Sequence, residues 1–121
     1  MWKQYLIVGL GGAAGSMLRY CCSRILPGKG LPLPTLFVNL AGSLLLGLLL
    51  ALATRANGMS PAFRLLLVSG FCGGFTTFSA FSGELIQLLH QGKYTTFILY
   101  ILLSVGGGIG AAMLGYKLGG T

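Results

Sequence analysis

The chain has 121 residues, 55% of them hydrophobic and only 7% charged, more apolar surface than a soluble core of this size can absorb, so its solvent is a bilayer. A formal net charge of +7 comes from eight scattered Lys and Arg set against one acid, Glu84, with no basic run of the kind that binds nucleic acid. Cys21, Cys22 and Cys72 form neither a C-x-x-C pair nor a Cys/His set, which removes zinc and thiol-redox chemistry and leaves them as small packing residues.

Four apolar segments long enough to cross a bilayer follow one another between breaks rich in Pro, Gly and base. The first runs from about Gln4 to Leu26 and stops at PGKG. Its start, Lys3 followed by YLIVGL and GGAAGS, has the outline of a secretory leader. The apolar run is short, however, and hydrophobicity resumes beyond it, so it is read as the beginning of a span. The second segment runs from about Leu33 to Thr54 and stops at RANGMSP, the third from Pro61 to about His90, and the fourth from about Tyr94 to Tyr116. Together they predict an all-α membrane protein, a single transmembrane domain over 1–121.

A continuous helix over the third segment would be roughly 45 Å long at about 1.5 Å per residue, against a hydrocarbon core of about 30 Å. The stretch Gly70 to Glu84, GFCGGFTTFSAFSGE, resolves the excess. Gly73 and Gly74 weaken the helix by about 1 kcal/mol each, and Thr76 and Thr77 can bond the backbone groups that a break releases. The third span is therefore predicted to be interrupted near 73–77, and irregular backbone at membrane depth belongs where it lines a site.

With four spans both termini lie on one side, together with Lys3, Arg55, Arg64 and Lys117; Arg24, Lys29 and Lys93 lie on the other, and Arg19 sits inside the first span nearer that second end. The bias that normally chooses orientation is close to nil, so the chain is expected to insert both ways up. Four helices have little room for a pore of their own, and an inverted copy is the natural partner. Gly11 and Gly15 in G-x-x-x-G spacing, and Gly106, Gly107, Gly108, Gly110 and Gly115 on the fourth span, predict close helix packing.

Few residues can carry chemistry. Asn39 lies mid-span, one turn after Thr35, and either pins two helices or offers a donor to something passing. Phe78 and Phe81 share one helix face, with Phe75 a turn back, and Thr76, Thr77, Ser79 and Ser82 are interleaved with them. Positive ring edges and hydroxyl donors can hold a small anion without a full charge. Arg19 can snorkel outward as an anchor, and Glu84 follows Phe81 by about a turn, with neutral or paired structural roles open to it. His90 borders the third loop as a solvated residue, and Tyr100 and Ser104, one turn apart, could add donors. The chain has no phosphate-binding glycine motif, nucleophile with a His base or carboxylate pair, so neither an enzyme nor an ATP-driven pump is expected. Proton coupling has Glu84 and the peripheral His90 as its only candidates, and passive permeation fits better. Composition and spacing lead as far as a small oligomeric channel or transporter.

Three motifs lead further: G-x-x-x-G-x-x-x-R-Y at Gly11 to Tyr20, T-L-F-V-N-L-A-G-S at Thr35 to Ser43, and G-F-C-G-G-F-T-T-F-S-A-F-S at Gly70 to Ser82. Over essentially its whole length the chain resembles the Fluc/CrcB family of small fluoride channels. The resemblance implies an antiparallel, dual-topology dimer in the lipid bilayer of a bacterial-type inner cell membrane, with two narrow fluoride pores, exporting fluoride that enters the cell as neutral HF. It implies a path lined by Asn39, Phe78, Phe81 and Ser79, with Tyr100 and Ser104 from the fourth helix. Arg19 and Glu84 would stand at the vestibule, and the backbone carbonyls of Gly73 and Thr76 would hold a structural sodium ion with their counterparts from the partner. Gly108 and Ala112 depart from the family, whose members often carry polar groups one and two turns after the position of Ser104.

Two other readings stand beside this one: a small dual-topology transporter of cationic compounds, which would want an accessible membrane carboxylate, and a non-conducting partner subunit of a heterodimeric channel.

Overall fold

The computed structural model describes residues 1–28, 30–55 and 58–120. Lys29, counted above among the charges of one end, and Ala56 and Asn57 of the second break lie outside the described residues. The elements are helical throughout: α1 (Trp2–Ile25), α2 (Leu33–Ala53), α3 (Pro61–Arg64), a π-helical stretch (Leu65–Cys72), α4 (Gly73–Phe75), α5 (Phe78–His90) and α6 (Tyr94–Gly120). They make four spans long and apolar enough to cross a membrane, the third being the composite Pro61–His90.

Local chemistry explains the ends. Ser60 caps α3, its hydroxyl accepting from the Phe63 amide at 3.2 Å, and Pro61 follows at the first helical position, where its missing N–H is no loss. At the far end of the third span the Lys93 amide donates to the Leu88 carbonyl and the Gly92 amide to that of Leu89. Gly92 has a φ of 72°, a left-handed turn that a side chain would resist. The fourth helix runs about a turn past the expected Tyr116, and Arg55 donates to the Gly119 carbonyl, one of the acceptors left over where a helix ends.

The spans pack as two pairs, α1 against the first half of the third span and α2 against α6, with α5 lying on α6. Glycines set both pairings. A Cβ on Gly11 would meet the Leu66 carbonyl, and one on Gly15 would meet the Phe71 carbonyl. In the second pair, Gly47 faces the Ala112 carbonyl and Gly115 that of Leu44. Lipid supplies no hydrophobic drive between helices, so such backbone contact is how they hold together. A small apolar cluster of Leu36, Phe81, Leu88 and Tyr100 joins α2, α5 and α6.

The interruption of the third span is present within the expected 73–77, at the threonine end of that stretch. Gly73 and Gly74 are helical; the extended residues are Thr76 (φ −85°, ψ 158°) and Thr77 (φ −151°, ψ 122°). Gly74 instead lets α4 touch Gly12 of α1, while around Gly73 a Cβ would meet nothing within 4 Å. Side chains that satisfy the freed backbone decide the site of the break, rather than the helix propensity of the residues before it.

Candidate functional site

The two threonines and their neighbours account for most of the polar groups at the break. The Thr76 hydroxyl donates to the Cys72 carbonyl at 2.8 Å, and the Thr77 hydroxyl accepts from the Ala80 amide at 3.2 Å, which caps α5. Asn39 of α2 then takes both backbone groups of Thr77: its Oδ1 accepts from the Thr77 amide at 2.8 Å and its Nδ2 donates to the Thr77 carbonyl at 3.1 Å. Of the two roles open to Asn39 in the sequence, pinning is the one these bonds describe, and one amide N–H remains over. From the other side, Arg19 Nε donates to the Gly74 carbonyl at 3.1 Å, with Ser16 Oγ on the same oxygen at 3.4 Å. Arg19, expected to stand at a vestibule or to snorkel outward, thus has its guanidinium tied to the break.

The diversion of the Thr77 amide to Asn39 has a second effect. In a continuous helix that amide would bond the Gly73 carbonyl; here the Gly73 oxygen has no hydrogen-bond partner among the described residues, and the same holds for the carbonyl of Thr76. The two residues line one open cavity. Free carbonyl oxygens are the donor set that a hard monovalent or divalent cation accepts, so the expected sodium ligands fit that chemistry.

The cavity, about 490 Å³, lies between α2, α6 and the broken span. It brings together Asn39, Phe78, Phe81 and Ser104 of the expected path, with Thr77 and Ser43 beside them. Phe78 is 78% exposed, whereas Phe81 is buried with its ring centroid 5.8 Å from that of Phe78 and 5.0 Å, edge on, from that of Tyr100. Ser104 Oγ is buried without a hydrogen-bond partner. Two expected path residues lie elsewhere: Ser79 is exposed beside Thr77, 3.3 Å between their hydroxyls, and Tyr100 is wholly buried outside the cavity lining.

Tyr100 belongs to a group that sequence reasoning did not assemble. Its hydroxyl donates to Glu84 Oε1 at 2.7 Å, and the Thr35 hydroxyl donates to Glu84 Oε2 at 2.8 Å, so three helices meet on the one acid of the chain. A signal was available: a lone carboxyl at membrane depth requires donors, and few hydroxyls stand at that depth. Glu84 also borders a second, polar pocket of about 290 Å³ at the end of the bundle, with Gln87, Gln91 and Lys93.

Four apolar spans, one of them opened midway beside a cavity with a few polar groups in largely apolar walls, define a small polytopic membrane protein of the channel or transporter class. The family profile described as CrcB-like protein, Camphor Resistance (CrcB), matches residues 6–116, and the chain belongs to that family. It is 48% identical over 117 residues to the fluoride-specific ion channel FluC of Leptospira interrogans, covering 93% of this chain and 91% of that protein. It is 46% identical over 122 residues to the protein of the same name from Thermus thermophilus, covering 98% and 97%. A third FluC, from Azobacteroides pseudotrichonymphae, is 41% identical over 121 residues, covering 98% and 97%. The relatives are named as channels and not as enzymes, and the chain is an integral, multi-pass membrane protein.

Proposed function

We propose that this protein is a fluoride-selective channel that lets fluoride leave the cytoplasm passively, and that it works as a dimer of two inverted copies. The observation that carries the dimer is the cavity. Asn39, Thr77 and Ser104 line a space that is open on one side and at membrane depth, and Phe78 stands exposed at it. Polar groups facing lipid there are unfavourable, so a second copy covers them. The near-balanced charge of the two ends favours an identical copy inserted the other way.

Fluoride is small and holds its water tightly, so a selective path replaces hydration with close donors while constriction holds back larger halides. Hydroxyls, the remaining Asn39 N–H and the positive edges of the Phe78 and Phe81 rings suit that task. Asn39 and the threonines keep the broken backbone in place, so the path is preorganised rather than formed on ion entry. A sodium ion held by the Gly73 and Thr76 carbonyls of both copies would supply a fixed positive charge and a rigid centre. Arg19, beside the Gly74 carbonyl, adds positive potential near the same level.

The test is efflux from liposomes that contain this chain alone. Fluoride appears outside the vesicles once charge is compensated and chloride does not; equal release of both ions, or release of neither, refutes the assignment. Transport of cationic compounds is disfavoured by Glu84, whose two oxygens are already engaged by Thr35 and Tyr100.

A further inference from the structure

We infer that Ser43 of α2 is an anion-binding residue of the cavity, acting with Ser104 as a pair of hydroxyl donors from facing helices. The inference rests on the fluoride-channel function proposed above and gives a role to a residue that closes the Thr35 to Ser43 motif and had none assigned to it.

Five polar side chains line the cavity: Asn39, Ser43, Thr76, Thr77 and Ser104. Three of them are engaged by the protein. Asn39 holds Thr77, the Thr76 hydroxyl donates to Cys72, and the Thr77 hydroxyl caps α5. The other two are free. Ser104 Oγ is buried and unpartnered, and the Ser43 hydroxyl makes no hydrogen bond to any described residue. A serine inside a helix ordinarily has the carbonyl four residues back within reach, so the freedom of Ser43 is notable. An unpartnered hydroxyl among apolar walls is unfavourable unless something enters to accept from it.

The position of Ser43 relative to α6 gives the pair its geometry. A Cβ built on Gly108 would lie 3.7 Å from Ser43 Oγ. The Ser43 oxygen therefore stands beside α6 at the level of residue 108, one turn, about 5.4 Å, along from Ser104. Gly108 offers no side chain one turn after Ser104, and α2 supplies a hydroxyl at that level instead. Asn39 lies one turn before Ser43 on α2 and shares the cavity, so donors continue along the wall from the break past Ser104. The ligand that this row suits is a small, strongly hydrated anion, because each hydroxyl offers one short donor and no competing charge.

Ser43→Thr and Ser43→Val separate this role from packing, since the two side chains have the same shape and differ by one hydroxyl. In liposomes, Ser43→Thr keeps fluoride efflux within about twofold of the unmodified chain. Ser43→Val lowers it about tenfold or more, the effect of losing one hydrogen bond to a charged group. Adding Gly108→Ser to Ser43→Val restores most of the flux, because a hydroxyl returns at the same level from the other helix. Ser43→Ala takes the place of the Val variant should the latter fail to fold. Equal flux in the Thr and Val variants, or a low flux that Gly108→Ser does not raise, overturns the inference while the channel stands. An unmodified chain that releases no fluoride overturns the channel and the inference together.

Discussion

Removing the Asn39 side chain gives the sharpest test of how the broken span is held. Asn39→Ala takes away two hydrogen bonds and leaves the amide and carbonyl of Thr77 without partners in the middle of the bilayer. An orphaned buried backbone group costs about 1–3 kcal/mol, so the pair amounts to roughly 2–6 kcal/mol. A large share of that is expected here, because no water stands in at membrane depth. Asn39→Asp separates the two bonds. While ionised, the carboxyl still accepts from the Thr77 amide but sets an oxygen against the Thr77 carbonyl where an amide donor had been, so at a pH that keeps it ionised Asp is no milder than Ala. Unfolding of the purified protein in mixed micelles with increasing SDS reads the stability of each variant, and liposome efflux reads the path. An Ala variant that unfolds within about 0.5 kcal/mol of the unmodified protein, the range of an ordinary surface substitution, refutes the clamp.

Three more outcomes follow from the same geometry. Thr35→Val and Tyr100→Phe each strip one donor from Glu84, and because they share a carboxyl the double-mutant cycle shows a coupling of about 0.5–3 kcal/mol in the same SDS assay. Gly15→Ala sets a methyl group on the Phe71 carbonyl and 2.7 Å from the Phe75 amide nitrogen, and destabilises by about 1–3 kcal/mol. Gly9→Ala on the same helix meets nothing within 4 Å and is neutral or slightly stabilising by thermal melting in detergent. The proposed sodium at Gly73 and Thr76 predicts that exchanging sodium for a bulky organic cation lowers the melting temperature and that sodium alone restores it; a melting curve indifferent to the cation argues against the site.

Much of the architecture was legible in the residues, for reasons that differ from element to element. Apolar length alone placed four spans, because the bilayer sets a minimum that only a few stretches of this chain meet. The third span announced its interruption through excess length and through Thr76 and Thr77. Within the expected 73–77 the two glycines remain helical and the chain opens at the threonines. The threonine backbone opens because Asn39 lies across from it, and a contact between residues 38 positions apart has no local signature. Likewise Phe78 and Phe81 were grouped correctly by their spacing, but which ring stands exposed depends on Tyr100, packed edge on against Phe81.

What the amino-acid order determines by itself is the solvent, the number of spans, the near-balance of charge between the two ends and the family. These depend on composition and on short motifs that carry their meaning locally. The tertiary structure decides which polar groups are engaged and which remain free. Glu84 holds Thr35 and Tyr100, Arg19 turns to the Gly74 carbonyl, and Asn39 holds Thr77, while the hydroxyls of Ser43 and Ser104 and the carbonyl of Gly73 have no partner among the described residues. The physical reason is that a hydrogen bond joins whatever the packing of helices brings within about 3 Å, and in lipid no water makes good the difference.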